Sequence, residues 1–200
     1  MTCKYCEKDA IYRCGICGRP VCGEHAKFRT ICTSCIKKTS KLNYSIDKVK
    51  LGNEREKIQE FVKRFWGEEE QLTFDRKFIV AELTAYLAKA EDNVIGFVSF
   101  SELLDAVIIV ALGILPKYQN AGVGKSLIEK VEAETKRLGK KKLIVSTSND
   151  DLPALACYQS LGFQIYKVKP NVIAEKHGMV LKGIGGLPLR DELRLQKLLQ

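Results

Sequence analysis

From Asn53 onward, apolar residues recur at helical spacing. Ile58, Phe61, Val62, Phe65 and Trp66 share one face up to Gly67, and Asn53 with Glu56 three places on resembles a capping box, so the stretch predicts an amphipathic helix. The period then changes. Short apolar or alternating runs at Phe78 to Ala81, Ala85 to Ala90, Val94 to Phe100 and Val107 to Leu115, broken by turn residues such as Asp92 and Asn93, predict four strands in succession. Helical spacing returns from Gly122 to Leu138 through Leu127, Ile128 and Val131. Lys142 to Ser148 then reads as a strand, Leu152 to Leu161 as a helix and Phe163 to Val168 as another strand. The pattern predicts an α/β (α+β) domain in which helices flank a mixed, mostly antiparallel central sheet. Residues 37–52 are polar and basic with little periodicity, which suits a connector. The expected division is a small module at 1–40, a linker at 41–52 and a main domain at 53–200.

Composition sharpens that division. Seven of the eight cysteines lie between Cys3 and Cys35, and residues 1–50 hold 11 of the 33 Lys and Arg against 4 of the 24 Asp and Glu. The net charge of +9 therefore belongs mostly to the first quarter of the 200 residues. With 46% apolar residues, most of the chain can bury a core, which excludes general disorder. The longest apolar run, Ala106 to Leu115, is half of the ~20 residues that a membrane helix needs. Cys3 and Lys4 stand where a secretory signal would begin. A cytoplasmic protein with no membrane partner is the expectation, and in a reducing compartment paired cysteines point to metal sooner than to disulfides.

The candidate ligands are Cys3, Cys6, Cys14, Cys17, Cys22, His25, Cys32 and Cys35, spaced C-x2-C-x7-C-x2-C-x4-C-x2-H-x6-C-x2-C. A two-residue gap lets one turn aim two side chains at one ion, so four such pairs imply two tetrahedral Zn2+ sites with no open position, hence structural ones. A disulfide framework and an iron–sulfur cluster are the competing readings; His25 and the fourfold pairing favour zinc. The pairing has two solutions. A cross-brace joins Cys3, Cys6, Cys22 and His25 at one ion and Cys14, Cys17, Cys32 and Cys35 at the other, an arrangement that resembles B-box-type fingers. A sequential order would instead close the first four cysteines on themselves through a loop of seven residues. So small a segment has too few apolar residues to fold alone, and metal binding would supply its folding energy. Docking on a protein partner is the expected use, with nucleic acid the lesser alternative, because the basic surface carries Tyr5, Tyr12 and Phe28 but no stacking array.

The segment Ala106 to Val131 carries the main chemistry. A buried strand runs to Pro116, and a loop with Gln119, Gly122 and Gly124 opens a helix, whose unsatisfied amides and positive dipole end suit a phosphate or pyrophosphate. Gly122 to Ser126 also mimics the end of a Walker A loop, which would make the chain a nucleotide hydrolase, although Gln119 stands where that motif has glycine. The run Gln119-x-x-Gly122-x-Gly124, preceded by Pro116-x-Tyr118, resembles the (Q/R)-x-x-G-x-(G/A) signature of the GNAT acetyltransferase superfamily. Ser148 to Phe163 is similar to that family's second block, and the resemblance spans about residues 53 to 198, including the Leu187 to Leu193 run.

The resemblance implies transfer of an acetyl group from acetyl-CoA to a primary amine. Its loop amides, here Gln119, Asn120, Ala121, Gly122, Val123, Gly124, Lys125 and Ser126, would hold the pyrophosphate, and the backbone of Ile114 and Leu115 the pantetheine arm. Asn149 is a further expected coenzyme contact, since Asp151 stands where the family usually has an asparagine. Tyr158 matches the family's proton donor, whereas Cys157, Gly162 and Phe163 read as packing or turn residues. Glu102 and Asp105, at the connection before the buried strand, are candidates for the general base, and His177 reads as an exposed loop residue. The acceptor, a protein or a small molecule, would meet loops near residues 67–80 and 168–186. The alternative is a non-catalytic acyl-CoA sensor or scaffold whose zinc module binds a protein.

Overall fold

Two faces of one sheet divide the apolar residues that the pattern singles out. The computed structural model describes residues 2–10, 12–13, 19–22, 26–27, 31–32, 42–49, 53–66, 69–91 and 93–199. Four two-residue strands come first, β1 (Tyr12–Arg13) paired with β2 (Pro20–Val21) and β3 (Ala26–Lys27) with β4 (Ile31–Cys32). There follow β5 (Ser45–Lys48), α1 (Asn53–Trp66) and a hairpin of β6 (Glu70–Thr73) and β7 (Arg76–Ile79). Next are β8 (Thr84–Ala90), β9 (Asn93–Glu102), β10 (Val107–Ile114), α2 (Val123–Arg137) and β11 (Lys142–Ser148). The chain ends through α3 (Leu152–Ser160), β12 (Gln164–Lys169), α4 (Val172–His177), the small hairpin β13 (Leu181–Lys182) and β14 (Pro188–Leu189), and β15 (Glu192–Leu198).

The central sheet has the order β12-β15-β11-β10-β9-β8-β5. Every neighbouring pair in it is antiparallel except β10 with β11. One core gathers Tyr86, Ile95, Val98, Leu127, Ile128, Val131, Leu143 and Leu195, packing α2 on the sheet; the other gathers Ile58, Val62, Leu87, Phe97 and Ala111 under α1. The 3.6-residue period of Leu127, Ile128 and Val131 puts them on one stripe, and all three are fully buried. Among the described residues, no helix is long and apolar enough to cross a membrane.

Two expectations change, and one strand was not foreseen. Residues 45–48, placed by sequence in a linker, form the edge strand β5, whose pairing with Tyr86 to Lys89 lies about forty residues away and leaves no local trace. Phe78 to Ala81 is not a sheet strand: Phe78 and Ile79 end the β6–β7 hairpin, and Val80–Glu82 make one helical turn that buries Val80 and Ala81. The unforeseen strand is the last, β15, which inserts between β11 and the edge strand β12.

Candidate active site

The one parallel pair is also where the sheet opens. β10 and β11 are in register only from Val107–Leu143 to Ile109–Val145. Past Ile109 the pairing of β10 with β9 shifts by one residue at Val110, a bulge that bends β10, while β11 stays paired with β15 as far as Ser148. The strands part, and a cavity of about 500 Å³ fills the gap between Val110–Leu112 on one side and Ser146–Ser148 on the other. Tyr158 and Cys157 line it from α3, Leu72 and Thr73 from the β6–β7 hairpin, and Lys176 and His177 from α4.

At the far end of β10 the glycine loop takes shape. Pro116–Tyr118 form a helical turn, and the Gln119 side-chain amide donates to the Ile114 carbonyl at 3.1 Å. A Walker A loop leaves its strand directly, so this turn removes the nucleotide-hydrolase reading. Asn120 (φ 65°) and Gly122 (φ 85°) are left-handed, and a Cβ on Gly122 would meet open space. No side chain caps α2, and the Ser126 amide is the one that bonds the Gly122 carbonyl, so the amides ahead of it point out of the helix end. An anion fits there. Lys125 is largely exposed, 3.7 Å from Glu129, and the Tyr44 hydroxyl holds Ser126 Oγ at 2.9 Å. The Leu115 N–H donates to Ile95, so the hydrogen-bonding edge of β10 that faces the split is that of the alternate residues Leu112 and Ile114.

Tyr158 is buried in α3, with its ring 5.7 Å from that of Phe163. Burial, then the neighbouring Cys157 and Asp151, push its phenol well above the ordinary value, so it stays protonated through neutral pH. Burial also raises the Cys157 thiol, which argues against a nucleophilic thiolate. Asp151 explains its departure from asparagine: its carboxylate accepts the Ala154 N–H at 3.1 Å as the cap of α3, a task that needs only an acceptor.

Asn149 is not on the cavity. Its side-chain amide donates to Pro188 at 2.6 Å and its oxygen accepts from Arg190 at 3.0 Å and Asp191 at 2.9 Å, so it clamps the approach to β15 where a coenzyme contact was expected. Glu102 and Asp105 sit at the start of β10, the end opposite the glycine loop, and do not line the cavity. Glu102 pairs with Lys140 at 2.9 Å and Asp105 with Lys142 at 2.6 Å, whose hydrogen bond holds the Asp105 carboxyl below its usual range. His177, expected in a loop, is the last residue of α4.

The sequence reading missed a polar cluster on the cavity wall. Glu192, from β15, accepts from the Thr73 hydroxyl at 2.9 Å and the Phe74 N–H at 3.1 Å, and Thr73 shares a 2.6 Å hydrogen bond with Ser146. Arg194 bonds Glu192 at 2.9 Å and pairs with Asp75 at 3.1 Å; with Lys169 beyond it, Arg194 keeps the Asp75 carboxyl below its usual range. The available signal was the spacing of Glu192 and Arg194, two apart and so on one face of a strand.

In the N-terminal segment the sulfurs of Cys3, Cys6 and Cys22 lie within 4.8 Å of one another, with Cys6 and Cys22 at 3.7 Å. The turn holding Cys3 and Cys6 closes through the Cys3 N–H to Lys8, and Lys4 N–H to Pro20 brings it against β2, next to Cys22. Burial opposes ionisation of Cys3, yet hydrogen bonds from the Tyr5 and Cys22 backbone bring its thiol down to about 6. Three converging thiols could hold a soft metal ion. Cys14, Cys17, His25 and Cys35 lie outside the described residues, and of Cys32 only the backbone, in β4, is described.

Known proteins share the architecture. The profile of the acetyltransferase (GNAT) family matches residues 53–163, more than half of the chain. The uncharacterised Bacillus subtilis protein YxbD is 28% identical over 148 residues, 72% of this chain and 92% of YxbD. An IAA acetyltransferase from Bacillus cereus superposes with a TM-score of 0.66 at 23% identity, covering 78% of this chain and 100% of that one. A Bacillus subtilis acetyltransferase in complex with CoA gives 0.66 at 22%, over 79% and 100%. The split sheet, the helix that opens at Gly122 and the matched segment agree: this chain belongs to the acetyltransferase (GNAT) family.

Proposed function

We propose that the protein transfers the acetyl group of acetyl-CoA directly to a primary amine. The observation that carries this reading is the cavity in the β10–β11 split, with a buried, protonated Tyr158 on its wall and a helix end without a side-chain cap beyond the end of the same strand. Acetyl-CoA supplies an activated thioester, and the residues supply placement. The amides from Gln119 to Ser126 bind the pyrophosphate, with Lys125 adding positive charge, and the Ile114 edge of β10 orients the pantetheine arm. Attack by the neutral amine nitrogen on the carbonyl carbon forms the C–N bond and breaks the C–S bond; Tyr158 donates its proton to the leaving sulfur, and the proton shed by the nitrogen passes to solvent, which reprotonates the Tyr158 phenolate for the next turnover. A structure from Elizabethkingia anophelis with acetyl-CoA bound, and one of an Escherichia coli ribosomal-protein-S18-alanine N-acetyltransferase, support the co-substrate and the amine acceptor as class expectations.

The N-terminal segment is proposed to hold two structural Zn2+ ions, one on Cys3, Cys6, Cys22 and His25, the other on Cys14, Cys17, Cys32 and Cys35. The gathering of Cys22 with Cys3 and Cys6 supports the cross-brace, since a sequential order would bring Cys14 and Cys17 to that pair. Its role is docking on a partner or structural support.

Thiol release from acetyl-CoA with spermidine, a lysine peptide and n-butylamine tests the reaction, beside calorimetry with acetyl-CoA and ATP. Turnover with at least one amine is expected. Tighter binding of ATP overturns the reading, and acetyl-CoA binding without turnover on any acceptor replaces it by the sensor.

A further inference from the structure

The β6–β7 hairpin has a turn that its own sequence does not favour. Phe74 (φ 53°) and Asp75 (φ 61°) are both left-handed, the conformation of a two-residue hairpin turn normally built from Asn-Gly or Asp-Gly. Something outside the hairpin must hold it. The cluster on β15 does so through the Glu192 carboxylate, which takes the Thr73 hydroxyl and the Phe74 N–H on one oxygen. At its centre is Arg194, 6% exposed, whose guanidinium lies 4.8 Å from the centre of the Phe74 ring. Its Nε donates to Glu192 at 2.9 Å, while Nη2 forms ion-pair contacts, without hydrogen-bond geometry, to Glu192 at 2.8 Å and Asp75 at 3.1 Å. One planar cation thus touches both turn residues and the carboxylate that anchors the turn. A lysine, a single point charge, cannot make these contacts together.

The hairpin is also a wall of the cavity, through Gln71, Leu72, Thr73 and Asp75. Tyr158 lines the same cavity, whereas no residue of the glycine loop from Gln119 to Ser126 does. We propose that Arg194 is a positioning residue for the acceptor: it fixes the β6–β7 hairpin as the wall against which the amine substrate is placed. This rests on the acetyl-transfer reading and on the acceptor meeting the 67–80 segment, and it names the buried residue that holds that segment in shape. Arg194 itself does not line the cavity, so its removal is expected to act on acceptor binding through the hairpin and to leave coenzyme binding alone.

The experiment compares wild type, Arg194→Gln and Arg194→Lys with spermidine, the lysine peptide and n-butylamine as acceptors. Both variants are expected to raise the acceptor KM about 10-fold or more, because a shifted wall misplaces the substrate. Acetyl-CoA affinity should stay at the wild-type value, and amide exchange should rise in residues 70–79 alone. Rebuilding the turn as Phe74→Asn with Asp75→Gly in the Arg194→Gln background should restore the KM and the exchange protection, since that pair adopts the turn unaided. An unchanged acceptor KM, or a raised KM that the rebuilt turn fails to restore, overturns the proposal. Where Arg194→Gln loses coenzyme affinity and protection across the sheet, Asp75→Asn decides, and an unchanged KM in that variant is equally fatal. Absence of turnover in the wild type would bring down the acetyl-transfer reading instead.

Discussion

A phenol is a weak acid, and at Tyr158 burial keeps it in the donor form. The other protic group beside it, the Cys157 thiol, is itself raised by burial, and the Asp151 carboxylate is engaged as a helix cap. Tyr158→Phe should lower kcat by about 10²–10⁴-fold, the usual worth of a general acid, while calorimetry shows an unchanged Kd for acetyl-CoA. The raised phenol brings a pH consequence: no alkaline loss of kcat should arise from Tyr158 near neutrality, because the donor form persists there. A second residue acts by its lack of a side chain. A Cβ on Gly183 would lie 2.1 Å from Asp150 Oδ2, an oxygen that already accepts the Ile184 N–H at 2.7 Å in a buried setting. Gly183→Ala should therefore destabilise by about 1–3 kcal/mol, the usual scale of overpacking, read as a lower urea midpoint. Ser→Ala at exposed Ser160 is the matching control, with almost no change expected.

Elements differ in how much of themselves they write into the chain. β10, α2 and β11 were legible almost to the residue, because their apolar positions follow one period and their partners are neighbours in sequence or one crossover away. β5 has a single apolar residue, Ile46, and takes its identity from a distant strand; β15 buries Glu192 and Arg194, charged residues whose burial no local pattern announces. The glycine loop and Tyr158 were legible for a related reason, since each sits inside a local motif, whereas the hairpin wall is assembled by three elements far apart in the chain. Glu102 and Asp105 were misplaced because closeness to β10 in sequence does not say which end of the strand is meant; ligands gather beyond the carboxyl ends. What holds β5 can be tested. Glu134 of α2 joins Lys48 of β5 at 2.9 Å and Arg137 at 2.8 Å, and Arg137 first, then Lys48, brings its carboxyl down to about 2. A carboxyl depressed in the folded state stabilises above its unfolded value of ~4.3 and loses that contribution as pH falls toward about 2. Glu134→Gln should cost about 1–2 kcal/mol at neutral pH, both cations being half exposed and screened, and should flatten the acid limb of stability over that window.

At the scale of the molecule, the uneven charge and the uneven cysteines describe the same boundary. Among the described residues, none before Leu42 packs into either hydrophobic core, so the acetyltransferase unit owes its stability to residues from there onward. Among its described residues the N-terminal segment has two-residue strands and three buried or half-buried thiols brought together, beside the buried Val21. Thiols gathered that closely repel once ionised, and a divalent cation turns the repulsion into coordination, which is how such a segment gains its folding energy. The two units should thus respond independently to loss of metal. Treatment with a strong chelator is expected to release about two Zn2+ per chain, from the two four-ligand sites proposed. Amide exchange protection should vanish over residues 1–36 and persist over 53–199. Thiol release from acetyl-CoA with a small amine should continue at the wild-type rate, because among the described residues the cavity takes none from the N-terminal segment. Cys3→Ser, removing one ligand, should lose one ion and reproduce part of the effect. A chelated, metal-free sample that keeps residues 1–36 protected would show that the cysteines fold the segment by some other means, and zinc would have to be abandoned as its organiser.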